Sequence, residues 1–156
     1  MKDRPSKKSF SREATENLRN RAIEKIKSKF FPFSKIIRIV LIGSSLKGDF
    51  GQYDSPGFRG SAFSDFDFIF YVKDDYQIPS WLGREPSGKP FSNDTLNLAY
   101  RCKNFIDGTY DIEVLFIREK SMYNNKILEE GELAGIPMSK KSKNIHLVIY
   151  QTSEHS

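Results

Sequence analysis

Residues 36–45 read IIRIVLIGSS, and this stretch decides which fold the chain can adopt. Six of the seven residues Ile36–Ile42 are β-branched or leucine, which predicts a strand with little water on either face. Gly43 and Ser44 then end the strand sharply, and residues 46–64 are rich in Gly, Ser, Asp and Pro. Such a composition predicts a long loop. The chain is therefore expected to build its sheet around a buried strand that ends in a tight turn.

Three more strands and three helices are predicted around this strand from hydrophobic spacing and turn residues. The strands are 65–72 (DFDFIFYV), 110–117 (YDIEVLFI) and 145–150 (IHLVIY), and the helices are 11–30, 93–106 and 119–130. Ser11 suits a helix cap, Pro32 stops the first helix, and Asp107-Gly108 makes a turn. Helices alternating with strands predict an α/β (α+β) domain, with a small mixed sheet of about four or five strands and flanking helices.

The length and composition are those of one globular domain. The 156 residues predict a single domain over 11–150, between a basic flexible leader (1–10) and a flexible tail (151–156). Cys102 is the only cysteine, so no intramolecular disulfide can form, and its expected role is core packing in a reducing compartment. No apolar run is long enough for a signal or membrane segment. A cytoplasmic protein without a membrane partner is expected.

The net charge of +5 is concentrated near the N-terminus, where residues 1–35 carry eleven Lys or Arg against four Asp or Glu. The rest of the chain carries fourteen against sixteen. A basic arm could contact nucleic acid or an acidic partner, with Lys140, Lys141 and Lys143 as a second basic group. A solvated helix face behind a disordered leader explains the same charges. Because no known reader motif is present, nucleic-acid binding is the weaker alternative.

Two pairs of acids interrupt otherwise apolar strands: Asp65 with Asp67, and Asp111 with Glu113. Residues two apart on a strand point to the same side, with Cα atoms roughly 6.6 Å apart. Such pairs can converge on cations about 3.5–4 Å apart, as in two-metal phosphoryl-transfer sites. A divalent cation would relieve the repulsion between the carboxylates, and oxygen ligands without Cys or His favour Mg²⁺ or Mn²⁺. Alone, an Asp-x-Asp pair is more often an exposed turn.

The turn Gly43-Ser44-Ser45 is the second feature that bears on function. With Gly48 close behind, it lets backbone N–H groups and a hydroxyl approach a polyphosphate, and Lys47 could meet a phosphate as a point charge. By itself such a turn indicates nothing more than a turn. The order of the elements is more specific: strand, Gly-Ser turn, strand opening with Asp-x-Asp, later strand with a further acid.

That order, in IVLIGSSLKG, SDFDFIFYV and YDIEVLFI, resembles the DNA polymerase β-like nucleotidyltransferase superfamily. It is most similar to the minimal nucleotidyltransferases, which are often paired with HEPN-domain toxins. The resemblance covers roughly residues 36–117, about half of the chain. It implies a nucleotidyltransferase-like fold and transfer of an NMP from an NTP, with ATP the first choice, to a hydroxyl acceptor with release of pyrophosphate.

The resemblance also implies roles for individual residues. It places the nucleotide triphosphate at Gly43 and Ser44, and Mg²⁺ at Asp65 and Asp67. The superfamily's third carboxylate has apolar residues on both sides, which Glu113 matches better than Asp111. Glu113 would complete the metal site and help to activate the acceptor hydroxyl, and Asp111 remains the alternative.

Two departures from the superfamily affect the expected acceptor. Twenty residues separate Ser44 from Asp65, more than in most small members, so 51–62 (GQYDSPGFRGSA) should bulge beside the site, with Arg59 as a possible phosphate contact. The large helical domain that holds the acceptor in bigger relatives is also missing. A side chain of a partner, such as a HEPN-type toxin, is therefore one hydroxyl acceptor among those that the sequence leaves open. The alternative is an antitoxin-like protein that acts on its partner by contact.

Overall fold

The first helix begins and ends where its sequence predicts. The structure, a computed structural model, describes residues 6–55, 62–84, 100–121, 132–133, 136–137 and 146–153. Helix α1 spans Arg12–Phe30, and the hydroxyl of its cap Ser11 accepts a hydrogen bond from the Ala14 amide at 3.1 Å. It ends two residues before Pro32, which cannot continue a helix. No helix in the described ranges combines the length and apolar character needed to cross a membrane.

The other elements are mostly strands. They are β1 (Lys7–Ser9), β2 (Ile36–Ile42), α2 (Ser44–Lys47), β3 (Gly51–Tyr53), β4 (Phe66–Val72), β5 (Gly83–Arg84), β6 (Tyr100–Ile106), β7 (Tyr110–Arg118), a 3₁₀ turn (Glu119–Ser121), β8 (Glu132–Leu133), β9 (Ile136–Pro137) and β10 (His146–Gln151). The four predicted strands correspond to β2, β4, β7 and β10, each within one residue at either end.

The main sheet is mixed, in the order β10-β2-β4-β7-β6-β5. Strands β4 and β7 run parallel, and every other described neighbour in this sheet is antiparallel. The α+β class and the mixed sheet are therefore confirmed. The sheet has six described strands rather than four or five, because β5 and β6 come from segments in which no strand was predicted.

Strand β6 corrects the helix predicted over 93–106. Residues 100–106 form a strand that pairs with β7 across the turn at Asp107-Gly108, whereas 93–99 lie outside the described residues. The half-buried Cys102 packs against the core from this strand. Pairing with β7 outweighs the local helical spacing, because tertiary context overrides weak propensity. The helix predicted over 119–130 is a 3₁₀ turn at Glu119–Ser121, and its remainder is not described.

The two faces of the sheet carry different chemistry because side chains alternate along each strand. On β4 and β7, the buried side chains on the α1 side are Phe66, Phe68, Phe70, Ile112, Val114 and Phe116. The opposite side carries a second apolar cluster that includes Ile69, Tyr71, Leu115 and Ile117. By the same alternation Asp67 and Glu113 lie on the side away from α1. Each is two residues before the first of these apolar side chains on its strand.

The long loop before Asp65 holds the N-terminal segment. Strand β1 pairs antiparallel with β3 inside that loop, and the Phe10 amide donates to the Phe50 carbonyl at 2.8 Å. Residues 7–9 of the predicted leader therefore form a strand whose partner lies more than forty residues away in the chain. Residues 1–5 and Arg59 lie outside the described residues.

Replacing Gly51 by alanine is expected to separate β1 from β3. A Cβ at Gly51 would lie 2.0 Å from the Lys8 carbonyl oxygen. This oxygen belongs to the backbone, so no change of side-chain rotamer can relieve the clash. We expect Gly51→Ala to lower the free energy of unfolding in urea by about 1–3 kcal/mol, the usual cost of overpacking. Trypsin should then cleave faster after Lys7 and Lys8. Gln52→Ala, at an exposed position of the same strand, is the control, and equal cleavage of both variants would contradict the pairing.

Candidate functional site

A row of charged residues crosses three adjacent strands of the sheet. Asp67 on β4 pairs in register with Glu113 on β7, and Glu113 pairs with Arg101 on β6. Residues directly opposite each other on neighbouring strands present their side chains on the same face. The three side chains therefore meet on the face away from α1, and Asp65 joins them from the residue just before β4 begins.

Asp65, Asp67 and Glu113 form a compact group of carboxylates. One oxygen from each lies within 4.8 Å of the oxygens of the other two. Asp67 is 3% exposed and Glu113 is 1% exposed, so water screens these charges little. Asp67 Oδ1 is buried and has no hydrogen-bond partner in the described part of the chain. A buried oxygen of this kind within an all-oxygen donor set fits a hard divalent cation, so the three residues could hold a metal ion.

The electrostatics of Asp67 point in the same direction. Burial raises the pKa of the Asp67 carboxyl well above its ordinary value. The negative charges of Asp65 and Glu113 and a side-chain hydrogen bond with Asp65 raise the pKa further, while the Arg101 guanidinium lowers it. One arginine thus compensates the group of acids in part, and a bound cation would favour the ionised form of Asp67.

Asp111, the alternative third carboxylate, is engaged elsewhere. Its Oδ1 accepts a hydrogen bond from the Asn104 amide at 2.8 Å, where β6 bends with a positive φ of 56°. The structure groups Glu113, and not Asp111, with Asp65 and Asp67. A carboxylate that satisfies a backbone amide stabilises the irregular part of β6, which is a structural role.

Arg101 is a charged residue of this group that the sequence pattern does not point to. Its Nη1 and Nη2 donate to Asp65 Oδ2 at 2.8 and 2.9 Å, and Nη1 lies 3.8 Å from Glu113 Oε2 and 3.9 Å from Asp111 Oδ2. The helix predicted over 93–106 gives no reason to place Arg101 beside the acids. The turn at Asp107-Gly108, with an apolar strand after it, was the available signal for a hairpin that brings 100–106 beside the acids.

The Gly43 turn lies beside the acids because Ile42, the last residue of β2, pairs with Asp67. Gly43 is buried with φ 93° and ψ −158°, a conformation that side chains disfavour. Ser44 is half-buried, and the buried Ser45 Oγ has no hydrogen-bond partner among the described residues. The Ser45 carbonyl accepts from Arg19 Nη1 at 2.9 Å, which fixes the turn to α1. The remaining predicted phosphate contacts, Lys47 and Gly48, are exposed.

A second basic residue near the site comes from the N-terminal strand. Lys7 Nζ donates to Ser64 Oγ at 3.4 Å, and Ser64 directly precedes Asp65. The same ammonium lies 5.6 Å from the centre of the Tyr53 ring and 3.9 Å from Asp49 Oδ2. The pairing of β1 with β3 therefore places Lys7, from the basic leader, next to Ser64, the residue before Asp65.

Comparison with known proteins adds no assignment: neither the protein-family models nor the curated proteins that were searched match this chain. The geometry of the site and the sequence resemblance are therefore the two observations that bear on function.

Proposed function

We propose that the protein is a Mg²⁺-dependent nucleotidyltransferase that moves an NMP from an NTP to a hydroxyl acceptor and releases pyrophosphate. The observation that carries the proposal is the convergence of Asp65, Asp67 and Glu113 within 4.8 Å, beside a Gly-Ser turn that leaves the neighbouring strand. Acids alone would be compatible with many metal sites. These acids, however, lie next to the Gly43-Ser44 turn, whose backbone N–H and hydroxyl groups suit a phosphate. This position favours nucleotide chemistry.

Each group has a role in this reaction. Asp65, Asp67 and Glu113 hold the cation, which would neutralise charge on the triphosphate and on the departing pyrophosphate. Gly43 lets the backbone approach the phosphates closely because it has no side chain at that point. Transfer of this kind needs mainly positioning and charge compensation, so a small domain can supply it. Glu113 would also help to activate the acceptor hydroxyl as a general base.

The test uses each of the four NTPs labelled at the α-phosphate, with Mg²⁺ and with cell extract as a source of acceptors. We expect label to appear on an acceptor with the wild type, and to disappear with Asp65→Asn. Asp75→Asn is the matched control, because Asp75 is an exposed aspartate that pairs with Lys35 away from the acids. If the wild type neither binds nor transfers any of the four nucleotides, the proposed reaction is wrong.

A protein-binding role is the second candidate, and the edge of the sheet favours it. Strand β10 is at one end of the described strand order and exposes Leu147 and Val148. A partner could extend the sheet at such an edge. Pull-down of a partner by both the wild type and an Asp65→Asn, Asp67→Asn double variant would show binding without chemistry. If the double variant alone fails to retain the partner, or alone leaves the partner active, nucleotidyl transfer is required.

A further inference from the structure

Arg101 occupies an unusual position for a cation, because it lies inside a group of acids that is suited to a metal ion. Its side chain is 5% exposed, and both of its terminal nitrogens donate to the same atom, Asp65 Oδ2. Two charge-assisted bonds to one oxygen hold the guanidinium firmly and leave that oxygen little capacity for another cation.

A metal ion and Arg101 would compete for Asp65. A Mg²⁺ ligand lies about 2.0–2.1 Å from the ion, so a cation on Oδ2 would be within a few ångströms of the guanidinium. Like charges at that separation repel strongly where water is excluded. Asp65 can therefore give its Oδ2 to the arginine or to the metal ion, but not to both at full strength.

The competition is not expected to exclude the metal ion altogether. Four carboxylates, Asp65, Asp67, Asp111 and Glu113, surround the single Arg101, so the group remains negative with the arginine in place. The difficulty lies with the arginine: a buried guanidinium that gives up Asp65 loses hydrogen bonds of 2.8 and 2.9 Å and needs a new acceptor for them. The planar fork of arginine matches phosphate oxygens, and a nucleotide triphosphate would bring such oxygens with the metal ion.

We propose that Arg101 is a nucleotide-contacting residue that holds Asp65 until a metal-bound nucleotide arrives, and then exchanges the carboxylate for a phosphate. This inference rests on the proposed function, because it names how the same site takes its nucleotide. It has two consequences of opposite sign. Arg101 weakens the binding of a divalent cation alone, and it strengthens the binding of the nucleotide once the cation is present.

The experiment measures two affinities for each variant. The first is for Mn²⁺ alone, followed by electron paramagnetic resonance of the free ion. The second is for α,β-methylene ATP at saturating Mn²⁺, followed by calorimetry. Compared with the wild type, Arg101→Gln is expected to bind Mn²⁺ alone about tenfold more tightly and the nucleotide analogue about tenfold more weakly, within the usual range of coupling between two ligands. A purely structural arginine would not move the two affinities in opposite directions.

Two further variants make the result interpretable. Arg101→Lys keeps a positive charge but loses the fork, so it should shift both affinities in the same directions by a smaller factor, and it decides the matter if Arg101→Gln does not fold. Arg21→Gln is the matched control, since Arg21 pairs with Asp107 on the α1 side and should change neither affinity.

The outcomes separate this inference from the proposed function. If the affinities for Mn²⁺ and for the analogue are unchanged in both Arg101 variants, or both fall together, the proposed role of Arg101 is wrong. Nucleotidyl transfer stands in that case if the wild type still transfers. Failure of the wild type and every variant to bind the analogue overturns the proposed function, and the nucleotide contact of Arg101 with it.

Discussion

Asp67→Asn is expected to abolish the proposed transfer and, in buffer without metal ions, to make the folded protein more stable at pH 7. The loss of rate should be about a thousandfold, the upper part of the range seen when one group that stabilises transition-state charge is removed. The gain in stability should be about 1–3 kcal/mol, because a buried carboxylate with an oxygen lacking a hydrogen-bond partner is replaced by a neutral group. Few substitutions are expected to lower activity and raise stability together.

The pH dependence of stability follows from the same residue. The pKa of Asp67 is raised in the folded protein, above the value of about 3.9 for an unfolded chain. Between these two values the folded state holds a proton that the unfolded state has released. The free energy of unfolding contributed by Asp67 is therefore fully present below the unfolded pKa and is lost as the pH rises through the folded pKa. Added Mg²⁺ should restore stability at the high end of that range.

Urea denaturation of the wild type and of Asp67→Asn at several pH values, with EDTA or with Mg²⁺, would check both effects. The difference between the two proteins in EDTA should grow from pH 4 to pH 8, and Mg²⁺ should stabilise the wild type alone. Asp75→Asn is again the control, because an interaction with Lys35 lowers the pKa of the exposed Asp75, so its removal should not stabilise. A difference between the two proteins that shrinks from pH 4 to pH 8 in EDTA would contradict the assigned electrostatics of Asp67.

Phe68→Ala is expected to lower the free energy of unfolding by about 3–5 kcal/mol, which is a large part of the stability of a domain this size. Phe68 is fully buried on β4 between Asp67 and the α1 side of the core. Truncation would leave a cavity beneath the strand that carries Asp67 and that begins directly after Asp65. Binding of Mn²⁺ should weaken as well, since these carboxylates must hold their positions closely.

Phe31→Ala is the matched control, since Phe31 is 73% exposed just beyond α1. Surface truncations of this kind usually change stability by less than about 0.5 kcal/mol. Urea denaturation of the two variants under identical conditions compares them directly. Similar losses in both would mean that β4 does not pack against α1 as described.

Much of the fold could be predicted because its signals are local. Helix α1 follows from the spacing of Leu18, Ala22 and Ile26 and from the cap at Ser11, both of which lie within a few turns of chain. The strands β2, β4 and β7 are continuous enough in apolar residues to be recognised without their partners. Side-chain alternation then places Asp65 with Asp67 on one face of their strand, and Asp111 with Glu113 on one face of theirs, before any pairing is known.

The differences from the predicted elements have a common cause, which is that pairing with another strand outweighs the local propensity of a segment. The spacing of Ala99, Cys102 and Phe105 is compatible with a helix, yet residues 100–106 form a strand because β7 offers a partner across a short turn. Likewise Lys7–Ser9 has little strand character of its own and is ordered by β3. Propensities of a fraction of a kcal/mol per residue cannot decide such cases.

The sequence alone singles out the acids at 65, 67, 111 and 113, because polar residues in apolar strands need a partner and a two-residue period fixes their direction, whereas the preference for Glu113 over Asp111 comes from the family resemblance. The tertiary structure decided how these acids are balanced. The register of β4, β7 and β6 brings Asp67, Glu113 and Arg101 side by side, and no local pattern encodes a register between strands that are 46 and 12 residues apart in the chain. The site is therefore a group of acids that the sequence shows, with a counter-ion, Arg101, that the pairing of β6 with β7 places beside them.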